Sequence, residues 1–419
     1  MATLERCYNI ADLRQAARKR LPRGVFEYID KGTEDQLALG NNRHALDSLK
    51  LLHRVLTDVS DIATATELLG RPSAMPLAIA PTGVAGMCWY QGELELAKAA
   101  AKAGVPFTLA TGSNTPMEKV AREAGGRLWF QLYMWREKAL SYELVRRAAN
   151  AGFEALIWTV DIPHRPNREH DLRNGFSSPY KLNLRSVVDA LRHPEWLATV
   201  LGRYMLGTGM PGHVNFPEKY RQKFTGKAGI AKALQADQLG WEDVDRLREI
   251  WPGKLIIKGI MRSDDARRAV ARGVDGIIVS NHGGRSMDSA PSPLEVLPGI
   301  VAAVDGKASV LVDSGMRRGS DIVKCLALGA QGVLSGRATL YGVGAGGEAG
   351  AARALTIFTE ELRRTMAYVG CQRVEQITDD IIWREQARHG AAIVPPVTGS
   401  PGLFHREEDK NEHRTHREA

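Results

Sequence analysis

Cysteine is scarce in this sequence and is never paired. The four cysteines, Cys7, Cys88, Cys325 and Cys371, are widely separated and form no C-x-x-C pair. This spacing argues against a disulfide framework and against a zinc site. We therefore expect a protein of a reducing compartment, without a bound metal.

Long apolar runs are absent as well. No stretch of about 18 apolar residues occurs, and residues 1–12 carry charges in place of an apolar signal core. The sequence therefore predicts neither a signal peptide nor a transmembrane helix. We expect a cytoplasmic protein, with a peripheral position on the cytoplasmic face of the inner membrane as the alternative.

The remaining composition is typical of a soluble globular protein with a large core. Of the 419 residues, 44% are hydrophobic and 42 are glycine, and the formal net charge is +8. A modest positive charge suits an anionic substrate, a cofactor phosphate or an anionic membrane surface. No nucleic-acid-binding module is recognisable, so we expect no nucleic-acid partner.

From residue 76 onward one pattern repeats, a helix of small residues, a glycine and then an apolar strand. Each glycine is placed to end its helix in the left-handed conformation. The predicted strands are Leu77–Ala80, Phe107–Ala110, Leu128–Leu132, Ala155–Val160, Leu255–Lys258, Gly276–Ser280, Ser309–Val312 and Gly332–Ser335. Strand–helix units in such a series predict an α/β fold, a (β/α)8 TIM barrel with its active site at the strand carboxyl ends. An open doubly wound sheet is disfavoured because no G-x-G-x-x-G follows the first strand.

Three segments lie outside the repeat. Residues 9–31 have helical spacing with a break at Pro22, which predicts two short N-terminal helices. A long insertion, residues 162–254, follows the fourth strand. We expect residues 1–398 to form a single domain and the charged residues 399–419 to form a disordered tail.

The middle of the insertion, Lys181–Tyr204, is amphipathic and basic. It mixes Trp196 and other apolar residues with Arg185, Arg192 and Arg203. Two interpretations stay open. The segment either lies on an anionic membrane surface or is a lid that packs its apolar face on the barrel.

The stretch Gly276–Asp288 combines a buried strand with a reactive loop. Its β-branched run is followed by His282, two glycines and Arg285. A lone histidine is usually structural, but this combination at a strand end indicates a functional site. Asp161, after the fourth strand, can hold the imidazole of His282 in the tautomer of a general base. A purely structural Asp161 that caps its loop is the alternative.

Other polar residues at strand ends complete the candidate site. The stretches Asp313–Gly319 and Gly336–Arg337 follow the last two strands, where barrels commonly bind phosphate. Arg317 or Arg337 would add a bidentate clamp, so a cofactor with a phosphate group is predicted. Two arginines could pair with a substrate carboxylate and two tyrosines could donate hydrogen bonds: Arg168, Arg285, Tyr28 and Tyr133.

Four ordered motifs stand at the strand ends, namely Phe130-Gln-Leu-Tyr133, Thr159-Val-Asp161, Ser280-Asn-His-Gly-Gly-Arg285 and Asp313-Ser-Gly-Met-Arg-Arg-Gly319. Together they resemble the signature of the FMN-dependent L-2-hydroxy-acid oxidase and dehydrogenase family. The resemblance covers roughly Ile10–Thr378 and is strongest to members that oxidise (S)-mandelate and L-lactate. It implies FMN-dependent oxidation of an L-2-hydroxy acid to the 2-oxo acid.

The resemblance also implies a role for each site residue. His282 is the base that removes a substrate proton, Asp161 orients it, and Lys258 stabilises the flavin ring as a fixed positive charge. The substrate carboxylate is held by Arg168, Arg285 and Tyr28, and the substrate hydroxyl by Tyr133. The rest of the FMN site consists of Pro81, Thr82, Gly83, Gln131, Thr159, Ser280, Asp313, Ser314, Gly315, Arg317, Gly336 and Arg337.

Three positions depart from the pattern of the family. Ala110 stands where many members place a serine toward the flavin. Gly83 stands where oxidases often carry alanine, which favours a quinone or other carrier over oxygen as electron acceptor. Gly112 stands where glycolate oxidases place a tryptophan, which predicts a substrate with an aryl or extended alkyl side chain, although a plain turn glycine is the alternative.

The resemblance further implies a homotetramer, and three other functions are weighed against the main one. An oxygen-using 2-hydroxy-acid oxidase is the first. An FMN barrel isomerase would share the phosphate site but would have no use for His282, Arg285 and Arg168. A non-catalytic membrane-associated binding protein is the third.

Overall fold

The fold is a closed barrel of eight parallel strands. The computed structural model describes residues 4–176, 184–221 and 238–384. A short antiparallel hairpin, β1 (Thr66–Leu68) and β2 (Arg71–Ser73), precedes the barrel. The barrel strands are β3 (Leu77–Ile79), β4 (Phe107–Ala110), β5 (Leu128–Leu132), β6 (Ala155–Thr159), β7 (Lys254–Ile260), β8 (Gly276–Val279), β9 (Ser309–Val312) and β10 (Gly332–Ser335). The predicted TIM barrel is confirmed, and β10 closes the ring on β3.

The barrel strands are mostly apolar on both faces, because one face fills the barrel and the other packs against helices. Apart from Lys254, Gly259 and Ser309, all their residues are buried. The hairpin residues Leu68 and Leu69 belong to the core inside the barrel and approach the first residues of β10 and β8. The hairpin therefore closes the amino-terminal end of the barrel, and the opposite end is left for ligands.

The helices surround the barrel and extend beyond it. They are α1 (Ile10–Arg20), α2 (Arg23–Asp30), α3 (Leu37–Ser48), α4 (Ala85–Cys88), α5 (Gly92–Lys102), α6 (Met117–Ala124), α7 (Lys138–Asn150), α8 (Glu169–Arg173), α9 (Leu184–Leu191), α10 (Pro194–Trp196), α11 (Arg203–Leu206), α12 (Glu242–Ile250), α13 (Ser263–Ala271), α14 (Pro293–Val304), α15 (Gly319–Ala327) and α16 (Arg337–Val369). A π-helical stretch, Leu197–Gly202, joins α10 to α11, and single 3-10 turns lie at Leu4–Arg6, Glu218–Tyr220, Val374–Gln376 and Asp379–Ile381. The helix α16 is kinked at Gly346 and Gly347.

The two predicted N-terminal helices are α1 and α2, and they separate at Pro22. Their link to the last helix is polar and partly buried. Arg14 pairs with Asp30 at 2.6 Å, and the Tyr341 hydroxyl donates to the same carboxylate at 2.6 Å. These contacts hold the end of α2 at the carboxyl end of the barrel.

The insertion after β6 both packs on the barrel and exposes apolar side chains. Trp196 and Tyr204 are buried: the Trp196 indole N–H donates to the Met87 carbonyl at 2.7 Å, and the Tyr204 hydroxyl accepts from the Gln91 N–H at 3.1 Å. On α9 and α11, by contrast, Leu184 is 81% exposed and Leu206 is 92% exposed. The lid interpretation thus describes Trp196 and Tyr204, whereas contact of the exposed side chains with a membrane stays a prediction. Residues 181–183 of the predicted segment lie outside the described ones.

The described residues as far as Trp383 belong to one compact unit. Within the described stretches, no helix is both long and apolar enough to cross a bilayer. The predicted domain boundary at residue 398 and the predicted tail, residues 399–419, fall outside the part of the chain that the structure describes.

Candidate active site

A cavity of about 870 Å3 lies at the carboxyl ends of the barrel strands. Two predicted site residues, Asp161 and Ser280, do not line it but contact residues that do. The predicted residues in its wall are Tyr28, Pro81, Thr82, Gly83, Gly112, Gln131, Tyr133, Thr159, Arg168, Lys258, His282, Arg285, Asp313, Ser314, Gly315, Arg317, Gly336 and Arg337. The barrel therefore gathers the whole predicted set around one space.

His282 is held by contacts of both its backbone and its ring. Its backbone has a left-handed φ of 59°, and its N–H donates to the Ser280 hydroxyl at 3.0 Å. Its Nδ1 lies 2.9 Å from Asp161 Oδ1, and its Nε2 lies 3.1 Å from the Tyr133 hydroxyl. Asp161 can approach because Gly259 has no side chain, since a Cβ there would lie 2.5 Å from the Asp161 Cβ. The imidazole is thus held on both nitrogens.

The protonation states around His282 follow from burial and charge. Burial lowers the pKa of His282 below 6.5, although Asp161 works in the opposite direction. Burial also acts to raise the pKa of Asp161, but His282 and Lys258 hold that pKa below its ordinary value. Burial and then Asp161 raise the pKa of Tyr133. At neutral pH the arrangement is a neutral imidazole, an ionised Asp161 and a protonated Tyr133 hydroxyl that can donate to Nε2.

Lys258 supplies a fixed positive charge at the floor of the cavity. Its ammonium donates to the Ser280 hydroxyl at 2.6 Å and lies 3.1 Å from Asp313 Oδ2. Burial acts to lower the pKa of Lys258, but Asp313 and Asp161 raise it above its ordinary value. The lysine therefore stays charged although it is buried.

Two arginines carry positive charge into the wall of the cavity. Arg285 donates to the Tyr28 and Lys31 carbonyls at 2.6 and 2.9 Å, and its guanidinium lies 5.0 Å from the centre of the Tyr28 ring. Burial, and then the neighbouring Arg168, lowers the pKa of Arg285 to about 10. The Arg168 Nε is buried and has no hydrogen-bond partner among the described residues. An anionic ligand would relieve this repulsion and satisfy that nitrogen.

The predicted phosphate site is formed by the loops after β9 and β10. Ser314 has a φ of 80°, accepts from the Gly283 N–H at 3.0 Å and donates to Asp313 at 2.8 Å. The Arg317 guanidinium lies 5.3 Å from the centre of the Tyr341 ring and lines the cavity. Arg337 also lines it, but its guanidinium nitrogens donate to three backbone carbonyls, those of Ile29, Gly283 and Lys31.

Arg337 thus fastens the end of α2 to the barrel. Carbonyls at a helix C-terminus favour a cation, and the Lys31 carbonyl accepts from both Arg337 at 2.9 Å and Arg285 at 2.9 Å. A role of Arg337 in binding phosphate stays a prediction, and so does that of Arg317.

The cavity fits a planar polar cofactor. The Gln131 Nε2 and the Thr159 Oγ1 lie at neighbouring strand ends, are buried and have no partner among the described residues. Leaving such groups unpaired costs about 1–3 kcal/mol each. A heterocyclic ring with polar edges, such as the isoalloxazine of FMN, would satisfy both groups.

The sequence did not reveal part of the cavity wall. The insertion adds the stretch Ile162–Asn167, Phe176, His213 and Phe216, and β5 is followed by Met134. The stretch before Arg168 was foreseeable because it continues directly from β6. His213 and Phe216 carry no local signal, since nothing in a single sequence tells which part of a long insertion returns to the barrel.

Comparisons with known proteins identify the family. The family model for FMN-dependent dehydrogenase matches residues 17–384. The (S)-mandelate dehydrogenase of Pseudomonas putida is 40% identical over 386 residues, which cover 92% of this chain and 96% of that protein. An L-lactate dehydrogenase of Xanthomonas campestris is 41% identical over 388 residues, covering 92% and 98%.

A solved structure is similar throughout the barrel. The crystal structure of the monotopic membrane protein (S)-mandelate dehydrogenase superposes with a TM-score of 0.85 at 40% sequence identity, over 90% of this chain and 99% of that one. With a family model that spans most of the sequence and relatives at this identity, the chain belongs to the family of FMN-dependent dehydrogenases.

Proposed function

We propose that the protein oxidises an L-2-hydroxy acid to the 2-oxo acid, with FMN as its cofactor. The observation that carries the proposal is His282, neutral and held between Asp161 and Tyr133 in a cavity that is also lined by the partly buried Arg168 and Arg285. A base beside a carboxylate-binding pair is what removal of a proton from a hydroxy acid requires. The similar proteins named mandelate and L-lactate dehydrogenase support the same substrate class.

The substrate carboxylate is bound by Arg168 and Arg285, with Tyr28 beside them. Tyr133 contacts the substrate hydroxyl, and His282 Nε2 accepts the proton that leaves the substrate. Asp161 then stabilises the imidazolium, because its carboxylate already accepts from Nδ1 at 2.9 Å. Bound FMN supplies the acceptor for the two electrons that leave with the hydrogen on the substrate's Cα.

Lys258 provides the fixed charge that favours electron transfer to the cofactor, since a buried cation stabilises negative charge developing next to it. Ser280 positions Lys258 and His282 through its hydroxyl, which accepts from both. The remaining residues that would hold FMN are Pro81, Thr82, Gly83, Gln131, Thr159, Asp313, Ser314, Gly315, Arg317, Gly336 and Arg337.

An anaerobic substrate screen tests this function. The purified yellow protein is mixed with glycolate, L-lactate or (S)-mandelate, and absorbance of the oxidised flavin is followed. We expect bleaching with at least one of them and none with (R)-mandelate, the matched control. Lack of bleaching with every L-2-hydroxy acid would refute the proposal and favour an isomerase or a binding protein.

We propose a quinone or another carrier, not oxygen, as the electron acceptor. Gly83 lines the cavity, and a Cβ there would come no closer than 3.6 Å to a protein atom, so the lack of a side chain is not forced by packing. After anaerobic reduction, a soluble quinone should reoxidise the flavin much faster than dissolved oxygen does. Equally fast reoxidation by oxygen would identify an oxidase.

We further propose a homotetramer that attaches peripherally to the cytoplasmic face of the inner membrane. The support for attachment is the exposed apolar set Leu184, Leu191 and Leu206, with the exposed Arg185, Arg192 and Arg203 beside it. Apolar side chains and cations together favour an anionic bilayer surface, each cation by about 1 kcal/mol. Sedimentation equilibrium would test the tetramer.

Co-sedimentation with phosphatidylglycerol vesicles at low salt tests the attachment. Replacing Leu184, Leu191 and Leu206 by serine should release the protein into the supernatant. The matched control is the same replacement at Leu52, Val55 and Leu56, which are also exposed but lie outside the insertion. Identical sedimentation of the two variants would refute this surface as the attachment site.

A further inference from the structure

The segment 212–216 within the insertion is fixed against the loop after β4. The Asn114 side chain donates to the Gly212 carbonyl at 2.9 Å. Asn215, fully buried, donates to the Ser113 hydroxyl at 2.6 Å and accepts from the Met117 N–H at 3.0 Å. Because Gly212 and Asn215 are both bonded to this loop, His213 between them and Phe216 next to Asn215 are held in place.

Two rings of this segment form one wall of the cavity. His213 and Phe216 stack with their ring centres 4.6 Å apart and their planes 17° apart, and both line the cavity. Phe216 is backed by Trp135, whose ring meets it edge-on at 5.5 Å. The His213 Nδ1 donates to the Gly112 carbonyl at 3.1 Å. These contacts make a rigid flat surface out of residues from distant parts of the chain.

The position of this wall shows what fills the space beside Gly112. A Cβ at Gly112 would lie 3.7 Å from the His213 Nδ1. The imidazole therefore occupies the space next to residue 112 into which a larger side chain at that position would extend. The missing side chain at the strand end is replaced by a ring from the insertion.

We propose that His213 and Phe216 form the subsite for the substrate's side chain, and that this subsite selects a planar aryl group. The inference rests on the proposed function and specifies its substrate class. A rigid aromatic wall favours an aromatic ring over a methyl group, because a ring buries more area and can stack on the outer face of the stacked pair. Burial also lowers the pKa of His213, so that the wall is uncharged at neutral pH.

Specificity ratios test the subsite. His213→Ala should lower kcat/KM for (S)-mandelate about tenfold or more, which corresponds to about 1.4 kcal/mol, and should change the value for L-lactate less than about threefold. His213→Phe retains a flat ring and should largely keep the preference. The matched control is His193→Ala, which removes another imidazole of the insertion that bonds a backbone carbonyl, that of Asp189 at 2.8 Å, outside the cavity.

Ligand binding gives a second measurement that does not depend on turnover. Phenylacetate and acetate, which lack the hydroxyl, can be titrated into the FMN-bound protein and followed by the flavin difference spectrum. His213→Ala should weaken phenylacetate binding about tenfold and leave acetate binding almost unchanged.

The outcomes separate this inference from the proposed function. An equal loss for mandelate and lactate, or an unchanged ratio with FMN retained, would overturn the subsite while the enzyme remains a hydroxy-acid dehydrogenase. A wild-type protein that is reduced faster by L-lactate than by (S)-mandelate would also overturn it. Only a lack of flavin reduction by every hydroxy acid would refute the proposed function itself.

Discussion

The strand ends and the insertion supply side chains to the same cavity in different ways. Tyr133 and His282 follow β5 and β8 directly, so the barrel itself determines where they lie. His213 is held at the cavity by bonds from Asn114 to Gly212 and from Asn215 to Ser113, each across about 100 positions of sequence. The reactive side chains are therefore positioned by the local sequence pattern of the strands, whereas the shape of the substrate pocket depends on long-range packing.

The largest effect should come from the strand-end side. His282→Gln should keep the yellow FMN complex and slow flavin reduction by at least about 10²–10⁴, because a positioned base contributes that much. The measurement is anaerobic stopped-flow reduction. His44→Gln is a suitable control, since His44 is on α3 and bonds only Ser48 among the contacts described for its ring. Near-normal reduction in His282→Gln would show that the chemistry is not placed at the strand ends.

A substitution at Gly112, where the strand ends meet the insertion, should have an intermediate effect on kcat/KM. The indole of Gly112→Trp must displace His213 and fill the pocket, so kcat/KM for (S)-mandelate should fall about ten- to a hundredfold more than for L-lactate or glycolate. Gly112→Ala is the control, because its Cβ would make only an ordinary contact at 3.7 Å. Equal losses on all substrates, with FMN still bound, would mean that residue 112 does not face the side chain.

The smallest effect on kcat/KM should come from a change of pH. Since burial lowers the pKa of His282, the base is already neutral at pH 6.5 and kcat/KM should fall only at lower pH. The same pKa shift also makes stability depend on pH. Because His282 binds a proton more readily in the unfolded chain, the free energy of unfolding should decrease as pH falls below about 6.5. An acidic limb centred above that value would contradict the burial argument.

The sequence was sufficient for the barrel because each strand repeats the same local signals. The glycines before β4, β6, β8 and β10 and the unbroken apolar runs mark the strands to within a residue or two. Once the strands were numbered along the sequence, Asp161, Lys258 and His282 were expected at the ends of three neighbouring strands.

Other features depended on contacts that no local signal encodes. The carbonyl partners of Arg337 lie on α2 and in the loop after β8, so a phosphate clamp was the simpler prediction for that arginine. The burial of Trp196 and Tyr204 depends on Met87 and Gln91, about 110 residues earlier. An amphipathic stretch does not tell which of its apolar residues meet protein and which meet solvent.

The contacts of α1 and α2 with the last helix, α16, affect the order in which the chain folds during synthesis. The Tyr341 hydroxyl donates to Asp30 at the end of α2, and Arg20 at the end of α1 donates to the Gly344 carbonyl at 3.3 Å. A ribosome adding about 5–20 residues per second needs on the order of tens of seconds to make the chain between these partners. During that time α1 and α2 have no docking surface on α16. A nascent chain stalled before residue 337 would therefore leave Asp30 without the hydrogen bond from Tyr341.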